Sequence, residues 1–108
     1  MKFAIDLDGT AWKYRRLFAT LMRALQQGGH QVGILTAHGP SLEPEDRRLL
    51  FARGFPPSDF FINKQEPAEP CKSWKERMVQ EHGIDCLFDD FDSPTIVLHC
   101  PHPDQSRE

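Results

Sequence analysis

Four short apolar runs, each ending in polar or acidic residues and parted from the next by a stretch of helical spacing, limit what this chain can fold into. Residues 2–7 carry Phe3, Ala4, Ile5 and Leu7 and close on Asp8-Gly9, the pattern of a buried strand entering a turn. From residue 14 onward Leu17, Phe18, Leu21, Met22 and Leu25 recur on one helical face, and Gly28-Gly29 supplies a stop. Residues 31–36 form a second buried run that leads into Thr-Ala-His-Gly. Pro44 opens a second helix that stops at Gly54, and residues 59–62 read as a short third strand. A Pro- and Glu-rich loop over 65–70 precedes a helix over 72–82, with Trp74, Met78 and Val79 inward and Gly83 as its stop. The fourth strand, 84–88, ends in Asp89-Asp90.

Strand and helix in regular alternation imply right-handed crossovers, hence a parallel sheet with helices on both faces. The expected fold is α/β, a Rossmann-like three-layer sandwich with a mostly parallel sheet of four or five strands. One domain over residues 1–100 is expected, followed by a frayed tail over 101–108, since neither repeats nor a linker interrupt the pattern. Residues 94–100 are ambiguous between helix and strand. Ser93-Pro94 favours a short helix, because a parallel fifth strand needs a crossover of about a dozen residues. That reading leaves the edge near residues 84–88 bare, and a bare edge invites a second subunit, so a homodimer is an expectation.

Composition narrows the function classes. Over 108 residues, 39% are hydrophobic and 27% charged, which suits a soluble globular domain with a single core. A formal charge of −3 argues against holding nucleic acid by bulk electrostatics. The clusters Lys13, Arg15, Arg16 and Arg47, Arg48, Arg53 read as solvated helix faces. The three cysteines, Cys71, Cys86 and Cys100, lack paired zinc-site spacing and an even disulfide framework, so reduced thiols in a cytoplasmic protein are expected. No leader pattern or apolar stretch of membrane-spanning length occurs in the sequence. The tail residues His99, Cys100 and His102 fall short of a structural zinc pattern.

In an open parallel sheet, ligands bind beyond the carboxyl ends of the strands, where this pattern places Asp6, Asp8, Thr36, Asp89 and Asp90. Residues two apart on a strand face one side, so Asp6 and Asp8 can address one pocket unless the turn at Gly9 diverts the second. Taken singly, Asp-Gly and Asp-Asp are commoner as turn formers. Converging on one edge, these carboxylates form a hard, incomplete oxygen cage suited to Mg2+, with water and a phosphate completing it.

The run Asp6-Leu7-Asp8-Gly9-Thr10 after an apolar strand resembles the first motif of the haloacid dehalogenase superfamily of phosphohydrolases. Thr36 in Ile-Leu-Thr-Ala resembles the second motif, Lys72 before the fourth strand the third, and Phe88-Asp89-Asp90 the acidic fourth. The resemblance spans residues 3–93 and implies a nucleophile at Asp6, a general acid and base at Asp8, and Mg2+ on Asp6, the Asp8 carbonyl, Asp89 and Asp90. It further implies that the Thr36 hydroxyl, backbone N–H groups at Ala37 and the Lys72 ammonium hold the phosphoryl oxygens. Lys64 competes with Lys72 for the lysine role, because it follows the third strand at the same edge.

Many members of that family carry a cap domain, and this chain has no room for one between its motifs. The Asp-Asp ending looks most like the capless polynucleotide phosphatases and nucleotidases. The expected partner is a phosphorylated substrate, a small molecule or a nucleic-acid end. Trp12 and His38 lie near that mouth, but a loop tryptophan is more often packing and a loop histidine more often solvent-facing. Two rivals stand beside the hydrolase: a non-catalytic phosphate-binding module on the same fold, and a phospho-accepting receiver domain, whose motif order differs. Retention of Asp8 argues for turnover, since binding alone needs no second carboxylate.

Overall fold

Alternating apolar residues at the start of the chain face two different helix layers. The computed structural model describes residues 1–90 and the strand at 97–99. Within it, β1 (Lys2–Ile5) turns Phe3 and Ile5 to one side and Ala4 to the other. The strands β2 (Gln31–Thr36), β3 (Phe61–Asn63) and β4 (Cys86–Asp89) run parallel to it, and β5 (Val97–His99) closes a sheet of order β3-β2-β1-β4-β5.

On one face α1 (Arg15–Gln27) and α2 (Glu43–Ala52) bury Phe18, Met22 and Leu50 against Phe3, Ile5, Val32 and Ile34. On the other, α3 (Cys71–Glu81) buries Trp74 and Met78 against Ala4, Leu35, Ile62 and Leu87. This is the three-layer α/β arrangement expected. Right-handed crossovers account for it: β1-α1-β2 and β2-α2-β3 step one way along the sheet, and β3-α3-β4 steps back across β1. The change of direction makes the carboxyl ends of β1 and β4 the switch point of the sheet.

Within α1 the inward stripe is Phe18, Ala19 and Met22, with Leu21 and Leu25 partly covered; Leu17, at its margin, is 60% exposed. The third strand starts two residues later than the pattern predicts. Asp59 nevertheless holds its place beside β2, accepting a hydrogen bond from the Val32 N–H at 2.7 Å.

The C-terminal reading needs correction. Residues 97–99 are strand, not helix, and β5 pairs antiparallel with β4 through Leu87 to His99, Phe88 to Leu98 and Asp89 to Val97. The crossover argument excludes only a parallel partner; a chain that reverses direction reaches the same edge through a short connection. β4 is therefore flanked by β1 and β5, which removes the bare edge as a motive for a homodimer. The expected helix start at Ser93-Pro94, the tail 101–108 and the cluster around Cys100 and His102 lie outside the described residues. No helix among the described residues is long and apolar enough to cross a membrane.

Candidate active site

The Asp6 N–H donates to the Phe88 carbonyl at 3.0 Å, so the β1–β4 ladder extends to the first acid itself. Beyond it the chain leaves the sheet. Asp8 (φ −68°, ψ 130°) and Gly9 (φ 75°, ψ −9°) adopt the central dihedrals of a type II turn, whose third residue needs positive φ. Gly9 is required a second time by space, because a Cβ there would sit 1.8 Å from Asp90 Oδ2. The turn is then carried into a wide helical loop by the Ala11 N–H on the Asp6 carbonyl at 3.1 Å and the Trp12 N–H on the Leu7 carbonyl at 2.9 Å.

This turn separates the two carboxylates of the first motif. Asp6 stays buried, and one carboxylate oxygen from each of Asp6, Asp89 and Asp90 lies within 4.8 Å of the others. Asp8 swings outward with its side chain 72% exposed, and its Oδ2 lies 2.8 Å from His38 Nε2. The structure thus brings Asp6, Asp89 and Asp90 together and leaves the Asp8 carboxylate outside that group.

The lysine beside the acids is Lys75. Its ammonium lies 3.3 Å from Asp6 Oδ1 and 3.0 Å from Asp89 Oδ2. Lys72 sits in the first turn of α3 on its exposed side, off the stripe of Trp74, Lys75 and Met78. Lys64 is buried, but its ammonium is turned to the Glu66 carbonyl. A signal for Lys75 exists in the sequence: it is a lysine inside the buried helical stripe, where an unpaired ammonium is not tolerated.

The electrostatics follow from burial. Loss of hydration pushes the Asp6 carboxyl up to about 7; the Lys75 ammonium pulls it down and the Asp89 charge pushes it further up. For Lys75, burial works against the charge, but Asp6 and Asp89 outweigh it and raise its pKa above the ordinary lysine value. Asp6, Asp89 and Asp90 outnumber the Lys75 ammonium, so these four described residues carry excess negative charge. Asp89 spends Oδ2 on Lys75, and its Oδ1 is buried with no hydrogen-bond partner among the described residues. A buried carboxylate oxygen with no partner, on a residue clustered with two other acids, fits a hard divalent cation such as Mg2+, which takes oxygen ligands and retains water.

A second group stands across the mouth. Thr36 is buried at the end of β2, where its Oγ1 accepts the His38 N–H at 3.1 Å; Ala37 between them is exposed. His38 is not solvent-facing as expected. Its Nδ1 lies 2.8 Å from Oδ2 of Asp46, a buried acid on α2, while Nε2 faces Asp8. Burial lowers the His38 pKa, but hydrogen bonds to Asp46 and Asp8 outweigh this and raise it above the ordinary value. Asp46 is foreshadowed by helical spacing, four residues before the buried Leu50 on the same face of α2. Trp12 is partly buried against the core with the Arg53 guanidinium 4.6 Å from its ring centre, the packing role expected of it.

No family model matches the sequence, and no curated protein or solved structure matches it at a significant level. The functional reading therefore stands on the chain's own residues and on the resemblance of its motifs.

Proposed function

We propose that the chain is a Mg2+-dependent phosphomonoester hydrolase of the haloacid dehalogenase type, capless, working through an aspartyl-phosphate on Asp6. The observation that carries this reading is Asp89 Oδ1, buried with no hydrogen-bond partner among the described residues, on an acid clustered with Asp6 and Asp90 at the switch point of the sheet. Asp6 attacks phosphorus, the P–O bond to the leaving group breaks, and Asp8 delivers the proton that the departing oxygen takes up. Water then attacks the acyl phosphate with Asp8 accepting its proton, which releases inorganic phosphate and restores Asp6. Asp6, Asp89 and Asp90 would hold Mg2+, which when bound offsets repulsion between these acids and an anionic phosphate. Lys75 holds Asp6 and Asp89 in place and adds positive charge where the phosphoryl group arrives, and the Thr36 hydroxyl lies at the adjacent strand end. With no cap between the motifs, the substrates proposed are nucleotides or nucleic-acid ends.

The test is hydrolysis of p-nitrophenyl phosphate, a nucleotide panel and a 3′-phosphorylated oligonucleotide, with and without Mg2+. Wild-type turnover that needs Mg2+ and disappears in Asp6→Asn is expected. Mg2+ should also stabilise the wild type by about 3 kcal/mol once the ion reaches 100 times its Kd, read as a raised unfolding midpoint. The Asp89→Asn chain should lose that shift. A folded wild type that binds phosphate ligands and hydrolyses none would instead be a binding module.

A further inference from the structure

We propose that His38, braced by Asp46, is the positioning residue that aims the Asp8 carboxyl group at the leaving group. This rests on the hydrolase reading and adds to it a part that the motif pattern does not contain.

His38 is held from every side. Its N–H donates to Thr36 Oγ1 at 3.1 Å, and its carbonyl accepts from Asn63 Nδ2 and the Lys64 N–H, both at 3.2 Å. Nδ1 is engaged by buried Asp46 at 2.8 Å, and Nε2 lies 2.8 Å from Asp8 Oδ2. With its backbone and one ring nitrogen hydrogen-bonded, the imidazole is restrained from turning. It therefore presents Nε2 at a set point near the mouth of the site.

Asp8 needs such a support. It follows the strand on a tight turn, its side chain is 72% exposed, and among the described residues His38 is the side chain that it contacts. Without His38 the carboxyl group is free to rotate in solvent, and proton transfer depends on alignment with the leaving oxygen. An exposed ion pair adds at most about 1 kcal/mol to stability. The Asp8–His38 contact therefore contributes little to the fold, whereas orientation of an acid is what such a contact provides.

The arrangement has a kinetic signature. An alkyl alkoxide leaves phosphorus only with a proton, whereas p-nitrophenolate, a stabilised anion, leaves without one. kcat/KM reports events up to cleavage of the P–O bond, and so separates the acid role of Asp8 from its later role as base. In His38→Ala, kcat/KM for glycerol 2-phosphate should fall about 10- to 100-fold, part of what a general acid contributes. For p-nitrophenyl phosphate the loss should stay under about 3-fold, and Asp46→Ala should show the same bias more weakly. His38→Gln, whose amide reaches about as far as Nε2, should recover part of the alkyl activity.

Equal losses on both esters in a folded His38→Ala chain would overturn the positioning role while leaving the hydrolase reading intact. Absence of Mg2+-dependent turnover in the wild type on either ester would overturn both. Should His38→Ala fail to fold, the ratio of the two esters in His38→Gln and Asp46→Ala decides in the same way, with no bias in either variant counting against the proposal.

Discussion

Asp6 and Asp8 are two residues apart, and the molecule treats them as opposites. Asp6 is buried among Lys75, Asp89 and Asp90, where the energetics are set by desolvation and by which charges offset which. Asp8 sits exposed at the first corner of a type II turn, where the Coulomb energy of one contact to His38 is small and direction is what the contact provides. The same side chain thus serves two purposes. In the interior a carboxylate is a charge to be compensated, and at the rim it is a group to be aimed.

That contrast can be tested most strongly at Lys75. Lys75→Met removes an ammonium from a buried group of acids and should lower stability by about 3–5 kcal/mol, as breaking a buried ion pair does. Asp8→Asn at the exposed end should stay within about 0.5 kcal/mol of the wild type. Urea unfolding at pH 7 in the presence of a chelator compares the two; similar effects would dissolve the distinction.

A smaller effect is expected at the turn that divides the acids. Gly9→Ala forces a side chain into positive φ and drives its Cβ onto the Asp90 carboxylate, a loss of about 1–2 kcal/mol from the backbone alone. Because Asp90 must also move, the stabilisation by Mg2+ should weaken in the same chain, read as a smaller shift of the thermal midpoint.

One further effect has the opposite sign. Asp6 binds its proton more tightly in the folded chain, at about 7, than at the unfolded value of 3.8. Between those values the folded state carries more of the proton, so without a divalent cation its contribution to stability falls as pH rises from about 4 to about 7 and is level above. Asp6→Asn should remove that slope and be the more stable chain at pH 7, whereas Asp8→Asn should leave the slope in place. Thermal midpoints from pH 4 to 8 in chelator check both.

Much of this was legible beforehand. Apolar runs that stop at Asp6, Thr36 and Asp89, separated by helical spacing, were enough for a parallel sheet and for acids at one edge. Where the structure differs from the sequence pattern, the difference is one of strand direction or of which helix side faces the sheet. Residues 97–99 became a strand because antiparallel pairing tolerates the short connection that parallel pairing does not. Lys75 rather than Lys72 meets Asp6 because the side of α3 that packs on β1 and β4 is the side of Trp74 and Met78.

By itself, then, the sequence determined the periodicities: which segments up to residue 90 are strands or helices, which faces are apolar, and that Asp6, Asp89 and Asp90 come at the ends of strands. These follow from near-neighbour chemistry along the chain. Tertiary structure alone decided which lysine offsets the acids, that Asp8 turns away from Asp6, and that Asp46 and Asp8 close on the two nitrogens of His38. Those contacts join residues from separate elements, and their distances depend on how helices pack on a sheet, which no local spacing records.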